Sequence, residues 1–445
     1  MYDLIILGGG PAGYHAAERA GAMGKSVLLA EQDTLGGTCL NVGCIPTKTL
    51  LHSAKLYLHS LEGKRFGVET EKVTFDLSAA VAWKKKTVTT LVKGVQYLMK
   101  RHGVEVVKGK GVLTGPGSIK AGDNEYRGKK VLIATGSSSA IPPIPGVDSP
   151  EVMTSTEILD VTEKPKSLTI IGGGYIGMEF ASLFSAIGTE VTVIEMMDEI
   201  IPFMEKDFSE LLRKSLKKVN FKLGSRVLEI NKNSVTFEKE GETDSVSSDI
   251  ILLSVGRKPN LTENGFDEAG LDYDRFGINV DERTRTNLPG VYAAGDVTGK
   301  SLLAHSAYRM ADVALSDMFG KGEQKMRYHA IPWVVFTIPE VAGCGYTEEE
   351  ARKEGFNPET VQVFLKTNGR YLSEHPGERG TARVVTDKDS GRILGVQMMG
   401  SGVSELIFGA AMMIESELRV KDVKEIVFPH PTLSEILKDI LWELE

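Results

Sequence analysis

The chain has 445 residues, 41% of them hydrophobic and 25% charged, with 60 Asp and Glu against 52 Lys and Arg for a net charge of −8. That length suits two to four domains, and the composition excludes disordered and fibrous classes. The acidic balance leaves no surplus for tracking nucleic-acid phosphates, and the longest apolar stretches, such as Leu406 to Ile414, fall far short of the ~20 residues that span a bilayer.

Met1-Tyr2-Asp3 leads directly into the apolar run Leu4 to Leu7, with no basic n-region or cleavage site. We therefore expect a cytoplasmic protein with no signal peptide and no membrane or nucleic-acid partner. Glycine is abundant, at 48 residues, and the motifs below account for the excess.

Residues 3–31 read as strand, turn, helix, strand. Gly8-Gly9-Gly10-Pro11-Ala12-Gly13 fits the dinucleotide turn G-x-G-x-x-G. Gly8 permits the tight turn, Gly10 lets backbone approach a pyrophosphate, and Gly13 lets helix and strand pack closely. Glu31 stands 23 residues after Gly8, where a carboxylate accepts from ribose hydroxyls.

Cys39 and Cys44 follow at once, five positions apart; the only other cysteine, Cys344, is remote. Zinc requires four ligands, and no further Cys or His lies at ligand spacing, so no metal is expected. A close pair can be a redox dithiol or two inert thiols. The redox reading makes a geometric demand. In a regular helix, residues five apart have Cα atoms roughly 8–9 Å apart, whereas a disulfide needs ~4.4–6.8 Å. The helix must therefore break between them, and Gly37, Gly43 and Pro46 supply the irregularity.

Ala82 to Gly103 reads as a long amphipathic helix whose Lys84-Lys85-Lys86 is a solvated face. Residues 104–134 hold short β-runs with glycine turns. Ile141 to Pro150 is rich in proline and marks a crossing between domains.

Residues 168–195 repeat the opening plan, with the turn Gly172-Gly173-Gly174-Tyr175-Ile176-Gly177 and the acid Glu195 again 23 residues on. The first basic residue after Glu195 is Lys206, with Asp198, Glu199 and Glu205 between. A 2′-phosphate would be repelled, so this site is read as taking NAD.

A second crossing is expected near Gly256 to Asn260. After about residue 328 the chain alternates β-rich segments (Val361 to Leu365, Ala382 to Thr386, Ile393 to Met399) with helices (Thr347 to Glu354, Val403 to Glu415), an α+β unit. Near the end stands Pro429-His430-Pro431-Thr432-Leu433-Ser434-Glu435. An imidazole suits the proton transfers of thiol exchange, and Glu435 could raise its basicity. Thr432-x-x-Glu435 is equally a capping box.

The fold expected is α/β: two doubly wound Rossmann-like dinucleotide-binding domains plus a C-terminal α+β unit. The family resemblance drawn from these motifs makes that unit a dimerisation domain and implies bounds of 1–147 and 263–327 for an FAD domain in two parts, 148–262 for an NAD domain, and 328–445 for the interface unit. A disulfide exchanges through thiolates, whereas nicotinamide carries hydride. A flavin does both, so FAD belongs at the first site, beside the dithiol.

Taken together, these residues resemble the flavin-dependent pyridine nucleotide–disulfide oxidoreductases, over essentially the whole chain. The likeness is strongest with members that act on dihydrolipoamide. It rests on Gly36 to Lys48 (GGTCLNVGCIPTK), Ala134-Thr135-Gly136, Gly256 to Asn260, Ala294 to Val297 and the tail from His430 to Glu435.

The resemblance implies that Cys39 attacks substrate and Cys44 faces the flavin. It places Lys48, paired with Glu179, near the reactive flavin nitrogen. Thr38, Thr135, Gly136, Asp296 and Ala304 join the FAD site, and Gly256 joins the NAD site. Tyr175 becomes a lid over the nicotinamide pocket, where core packing is the plainer reading. A homodimer is implied, with His430 and Glu435 serving Cys39 of the other subunit.

The activity implied is oxidation of protein-bound dihydrolipoamide by NAD+ within a 2-oxo acid dehydrogenase or glycine cleavage complex, with a lipoylated carrier domain as partner. The alternatives are an NADH-dependent reductase of another disulfide and a non-catalytic flavoprotein subunit. The chain departs from the family pattern at Phe428-Pro429, before His430, and at Trp333 and Ile338. Cys344 is read as a small buried hydrophobe.

Overall fold

The computed structural model describes residues 1–444, so Glu445, the last residue of the expected interface unit, lies outside the described residues. Three sheets organise the chain. In the first, Glu105–Lys108, Val27–Glu31, Tyr2–Leu7 and Asn124–Ile133 run in that order, all parallel. Leu4, Ile5, Ile6 and Leu7 are fully buried, as a parallel strand covered on both faces requires. Asn124–Ile133 is long enough to serve twice: its first half pairs antiparallel with Ser118–Ala121, and its second half extends the parallel sheet. Val291–Ala293 then joins it from far along the chain, so the first sheet is completed by a strand that lies beyond the whole second sheet in sequence.

The second sheet is also parallel, in the order Val219–Lys222, Glu190–Ile194, Ser167–Ile171, Ile250–Leu253, Val152–Met153. A separate antiparallel meander, Arg226–Asn231, Ser234–Lys239 and Glu242–Ser247, flanks it. Sequence reading overlooked this meander, although Ser234 to Phe237 alternates with Val235 and Phe237 inward. The crossings near residues 141 and 256 prove to be coupled. Ser137–Ser139 and Arg257–Pro259 pair antiparallel, so the outgoing and returning chains form one ribbon.

The third sheet is antiparallel throughout, ordered Trp333–Val335, Val341–Gly345, Ile393–Met399, Thr381–Asp387, Pro358–Phe364. Helix Val403–Glu415 packs on Val341–Gly345 and Ile393–Met399, and helix Ile436–Trp442 on Thr381–Asp387 and Pro358–Phe364. The chain is thus α/β with two doubly wound units and a C-terminal α+β unit. Among the described residues no helix is long and apolar enough to cross a membrane.

Lys84 is not part of a solvated face. It is 5% exposed, and its ammonium donates to the Leu159 carbonyl at 2.8 Å and to Asp160 at 2.9 Å. Helix Leu77–Arg101 buries Leu77, Ala80, Val81 and Lys84 on one side, so the lysine falls on the inward stripe and is accommodated there by its two hydrogen bonds, one of them to a carboxylate. Lys85 and Lys86 are exposed as expected.

Cys344 lies on strand Val341–Gly345, is buried, and donates to the Ala330 carbonyl at 3.2 Å. Burial pushes its thiol up to about 12, so it carries no thiolate near neutrality. Alkylation of the folded protein with iodoacetamide at pH 8 should label no cysteine before reduction and two after it. A third label without unfolding would contradict this burial.

Candidate active site

The first strand ends in the glycine turn, and Pro11 opens helix Pro11–Ala22 at a position where its missing N–H costs nothing. A Cβ on Gly13 would collide with the Gly8 carbonyl oxygen, which is the close strand–helix approach that demands glycine. At the middle glycine the space is open: a Cβ on Gly10 would meet only Gly37 Cα, at 3.9 Å.

Glu31 is locked to this turn from both sides. Its Oε2 accepts the Gly9 N–H at 2.6 Å and its Oε1 the Asp33 N–H at 2.6 Å. Beyond it lies a cleft of about 480 Å³ lined by Glu31, Asp33, Leu35, Met99, Lys100 and Lys108 among others. An open glycine cradle leading into a partly apolar cleft with a fixed acid fits the adenosine end of a dinucleotide.

The cysteines meet this turn directly. Gly36 N–H donates to the Gly9 carbonyl at 2.8 Å. Helix Gly37–Val42 stops at Gly43, and a new helix, Cys44–Glu62, begins. Gly43 has φ −141° and ψ −107°, and a Cβ there would press on the Thr38 carbonyl oxygen at 2.9 Å. This break closes the Cys39–Cys44 Cα separation to 4.6 Å, and the two form a disulfide. The irregularity required of the helix is located at that glycine.

One turn after Cys44, the Lys48 ammonium binds both oxygens of Glu179 at 2.7 Å and lies 4.7 Å from the centre of the Phe336 ring. Glu179 is buried and also accepts the Phe336 N–H at 3.1 Å. One carboxylate thus joins the cysteine helix, the second dinucleotide unit and the C-terminal unit.

Asp296 follows the strand that completes the first sheet. Its Oδ2 accepts from Ser137 Oγ at 2.5 Å and lies 4.0 Å from the Arg257 guanidinium. Burial raises its pKa, and the Ser137 hydrogen bond and the Arg257 charge oppose this. Arg257 in turn donates to Ser137 Oγ at 2.8 Å, to the Ser137 carbonyl at 2.6 Å and to Thr38 Oγ1 at 3.4 Å. Sequence reading named neither Ser137 nor Arg257 as site residues. The available signal was an arginine immediately after a buried strand and Gly256. Thr135 and Gly136 are tied to the same ribbon: Asn260 donates to the Thr135 carbonyl at 2.9 Å and its N–H to the Gly136 carbonyl at 2.9 Å. Ala304 opens helix Ala304–Phe319, and His305 Nε2 lies 2.6 Å from the Pro332 carbonyl.

The second turn repeats the geometry of the first. A Cβ on Gly177 would collide with the Gly172 carbonyl oxygen, and a Cβ on Gly174 would meet nothing within 4 Å. Glu195 accepts the Gly173 N–H at 2.5 Å and the Met197 N–H at 2.8 Å. Gly256 faces open space nearby. Tyr175 opens helix Tyr175–Ala186 and stacks on Phe203.

His430 and Glu435 stand apart from all this. Glu435 Oε1 lies 2.9 Å from His430 Nδ1, while its Oε2 accepts the Thr432 N–H at 2.9 Å. The two readings of Glu435, capping residue and histidine partner, are each carried by one oxygen. These two contacts hold its carboxyl below the usual range, the Thr432 N–H more than His430. His430 is 81% exposed, and among the described residues no hydrogen bond or ion pair within the chain connects it to the disulfide.

Residues 2–311 match the family described as pyridine nucleotide-disulphide oxidoreductase, and residues 331–440 match its dimerisation domain. The chain belongs to this family. The family is enzymatic, uses FAD and NAD(H), and its dimerisation domain supports a homodimer. The chain is 37% identical over 456 residues to dihydrolipoyl dehydrogenase 3 of Pseudomonas putida, covering 98% of this chain and 97% of that one. It is 36% identical over 447 residues to the dihydrolipoyl dehydrogenase of Bacillus subtilis strain 168, covering 98% and 94%. Among solved structures, the HOCl-induced flavoprotein disulfide reductase RclA from Escherichia coli superposes with a TM-score of 0.88 at 29% identity, covering all of both chains.

The first turn, its cleft and the half-buried Asp296 suit FAD in this family setting, and the second turn with Glu195 suits NAD. Gly13→Ala should therefore prevent flavin retention. A purified variant with a full complement of bound flavin would contradict this assignment.

Proposed function

We propose that this chain is an FAD-dependent dihydrolipoamide:NAD+ oxidoreductase that reoxidises protein-bound dihydrolipoamide. The observation that carries the proposal is the Cys39–Cys44 disulfide, opened from a helix break against the first dinucleotide turn and followed by the Lys48–Glu179 pair. Homologous dihydrolipoyl dehydrogenases over nearly the full length support lipoamide as the substrate. Residues 1–147 and 263–327 are read as the FAD domain, 148–262 as the NAD domain, and 328–445 as the interface domain.

In the forward reaction one substrate thiol loses its proton to His430 of the partner subunit and attacks Cys39 Sγ. The Cys39–Cys44 bond breaks, leaving a mixed disulfide and a Cys44 thiolate. The second substrate thiol then displaces Cys39, and the substrate leaves as its cyclic disulfide. Glu435 holds the imidazole by Nδ1, so that Nε2 faces the thiol. FAD held at the first turn would supply a two-electron acceptor between the Cys44 thiolate and NAD+. Lys48, held in place by both oxygens of Glu179, contributes a positive charge one turn along the Cys44 helix. Thr38, Thr135, Gly136, Asp296 and Ala304, with Gly8, Gly10, Gly13 and Glu31, hold the FAD. Gly172, Gly174, Gly177, Glu195 and Gly256 hold the NAD, with Tyr175 over its nicotinamide end.

Steady-state kinetics with free dihydrolipoamide and with separate lipoylated carrier domains test the substrate. NAD+-dependent turnover with at least one carrier supports the proposal. Activity only toward an unrelated disulfide with NADH would favour the second reading, a reductase of another disulfide, to which the full-length likeness to RclA points. Glu195→Arg should weaken NAD+ binding by removing acceptors for Gly173 and Met197, and should shift preference toward NADPH. An unaltered cofactor ratio would undo the assignment of the second site.

A further inference from the structure

Three aromatic rings from three parts of the chain form a ladder beside the second dinucleotide turn. Tyr175 lies face to face on Phe203, with ring centres 4.4 Å apart and planes 16° apart. Phe203 in turn meets Trp333 edge-on, at 5.1 Å and 86°. Phe203 belongs to the loop after Glu195, and Trp333 begins the edge strand Trp333–Val335 of the C-terminal sheet. The indole is seated from behind. Its register partner is Gly343, where a Cβ would press on Trp333 Cε2 at 2.6 Å. Phe203 is 39% exposed, so the ladder runs at the surface rather than through the core.

No hydrogen bond to the Tyr175 hydroxyl is formed among the described residues, and burial alone raises its pKa. Ring packing, not a polar anchor, therefore fixes the tyrosine. Such contacts break and reform without leaving a buried polar group unpaired.

We propose that Phe203 and Trp333 act as a catch that holds Tyr175 across the second dinucleotide site, and that the nicotinamide end of NAD(H) binds only after this stack opens. The proposal rests on the reading of Tyr175 as a nicotinamide lid. It makes Phe203 and Trp333 positioning residues that set nucleotide affinity without touching the reacting atoms. If the open form is the minor one, apparent affinity is reduced by its fraction, and loosening the catch restores it. Loss of one aromatic pair is worth a change of ~2- to 10-fold. Deleting these contacts should thus tighten binding, the opposite of what loss of a structural support would do.

The test measures NAD+ and ADP-ribose binding to the FAD-loaded, oxidised enzyme by isothermal titration calorimetry. ADP-ribose lacks nicotinamide and needs no lid opening. Phe203→Leu and Trp333→Leu should each tighten NAD+ by ~2- to 10-fold and leave ADP-ribose unchanged, while Trp333→Phe keeps the wild-type values. Tyr175→Leu should tighten NAD+ likewise and cancel any further effect of Trp333→Leu. If Tyr175→Leu leaves NAD+ affinity unchanged, the lid reading itself fails. If Tyr175→Leu tightens NAD+ but Phe203→Leu and Trp333→Leu do not, the lid stands and the catch is overturned. Weakening of both ligands in the Phe203 and Trp333 variants also overturns the catch, since the rings then only support the loop.

Discussion

Cys44→Ser should yield a protein that still binds flavin but no longer oxidises dihydrolipoamide. The serine fits where the thiol sat, and the glycine cradle at Gly8 to Gly13 and the Asp296 site do not depend on the sulfur. What disappears is the leaving group. Without the Cys39–Cys44 bond, attack at Cys39 has no disulfide to break, and the substrate's electrons have no route inward. Loss of one member of a covalent relay should cost at least ~10³-fold in turnover. Flavin content by absorbance and NADH production on the same sample check both halves. Full turnover would refute the relay. Loss of flavin together with activity would move Cys44 from chemistry to cofactor retention.

His430→Gln should lower turnover by at least ~100-fold at neutral pH, the lower end for a general base. The expected pH dependence separates this from a structural effect. As pH rises toward the ionisation of a free thiol, near ~8.5, more substrate is already thiolate and needs no base. The defect should therefore shrink from pH 6.5 to pH 9. The amide of glutamine can still contact Glu435, which keeps its second oxygen on the Thr432 N–H, so the local turn should survive. A near-normal rate would leave Glu435 only its capping role. A large defect that does not change with pH would point to a misplaced tail instead. His430 is exposed on its own chain, so turnover should also fall on dilution below the dimer dissociation constant.

The two dinucleotide turns were legible because their chemistry is local. Strand, turn, helix and acid all lie within about 30 residues, and the close approaches of Gly13 to Gly8 and of Gly177 to Gly172 are made inside that window. The helix break at Gly43 was legible for the same reason, since a disulfide across five residues is incompatible with a regular helix. What escaped depended on long-range packing. Lys84 looked like one of three solvated lysines because nothing near it in sequence shows that Leu159 and Asp160 lie beneath its side chain. Arg257 and Ser137, 120 residues apart, become partners only through the pairing of two short crossing strands. The Tyr175–Phe203–Trp333 ladder likewise needs the second dinucleotide unit and the C-terminal unit to be docked before it exists. His430 remains the extreme case: its position near Glu435 was readable, but its proposed target lies on another subunit.

In the proposed reaction a dithiol substrate delivers two electrons through Cys39 and Cys44 to a flavin, and from there to NAD+. The most direct measurement is an anaerobic titration of the purified, yellow protein with dihydrolipoamide, followed by visible absorbance and then by addition of NAD+. The spectral change should be complete at about one equivalent per subunit, as a two-electron disulfide acceptor requires, and should reverse on adding NAD+ with formation of NADH. A flavin spectrum that does not respond to dihydrolipoamide, or a protein that retains no flavin, would contradict it.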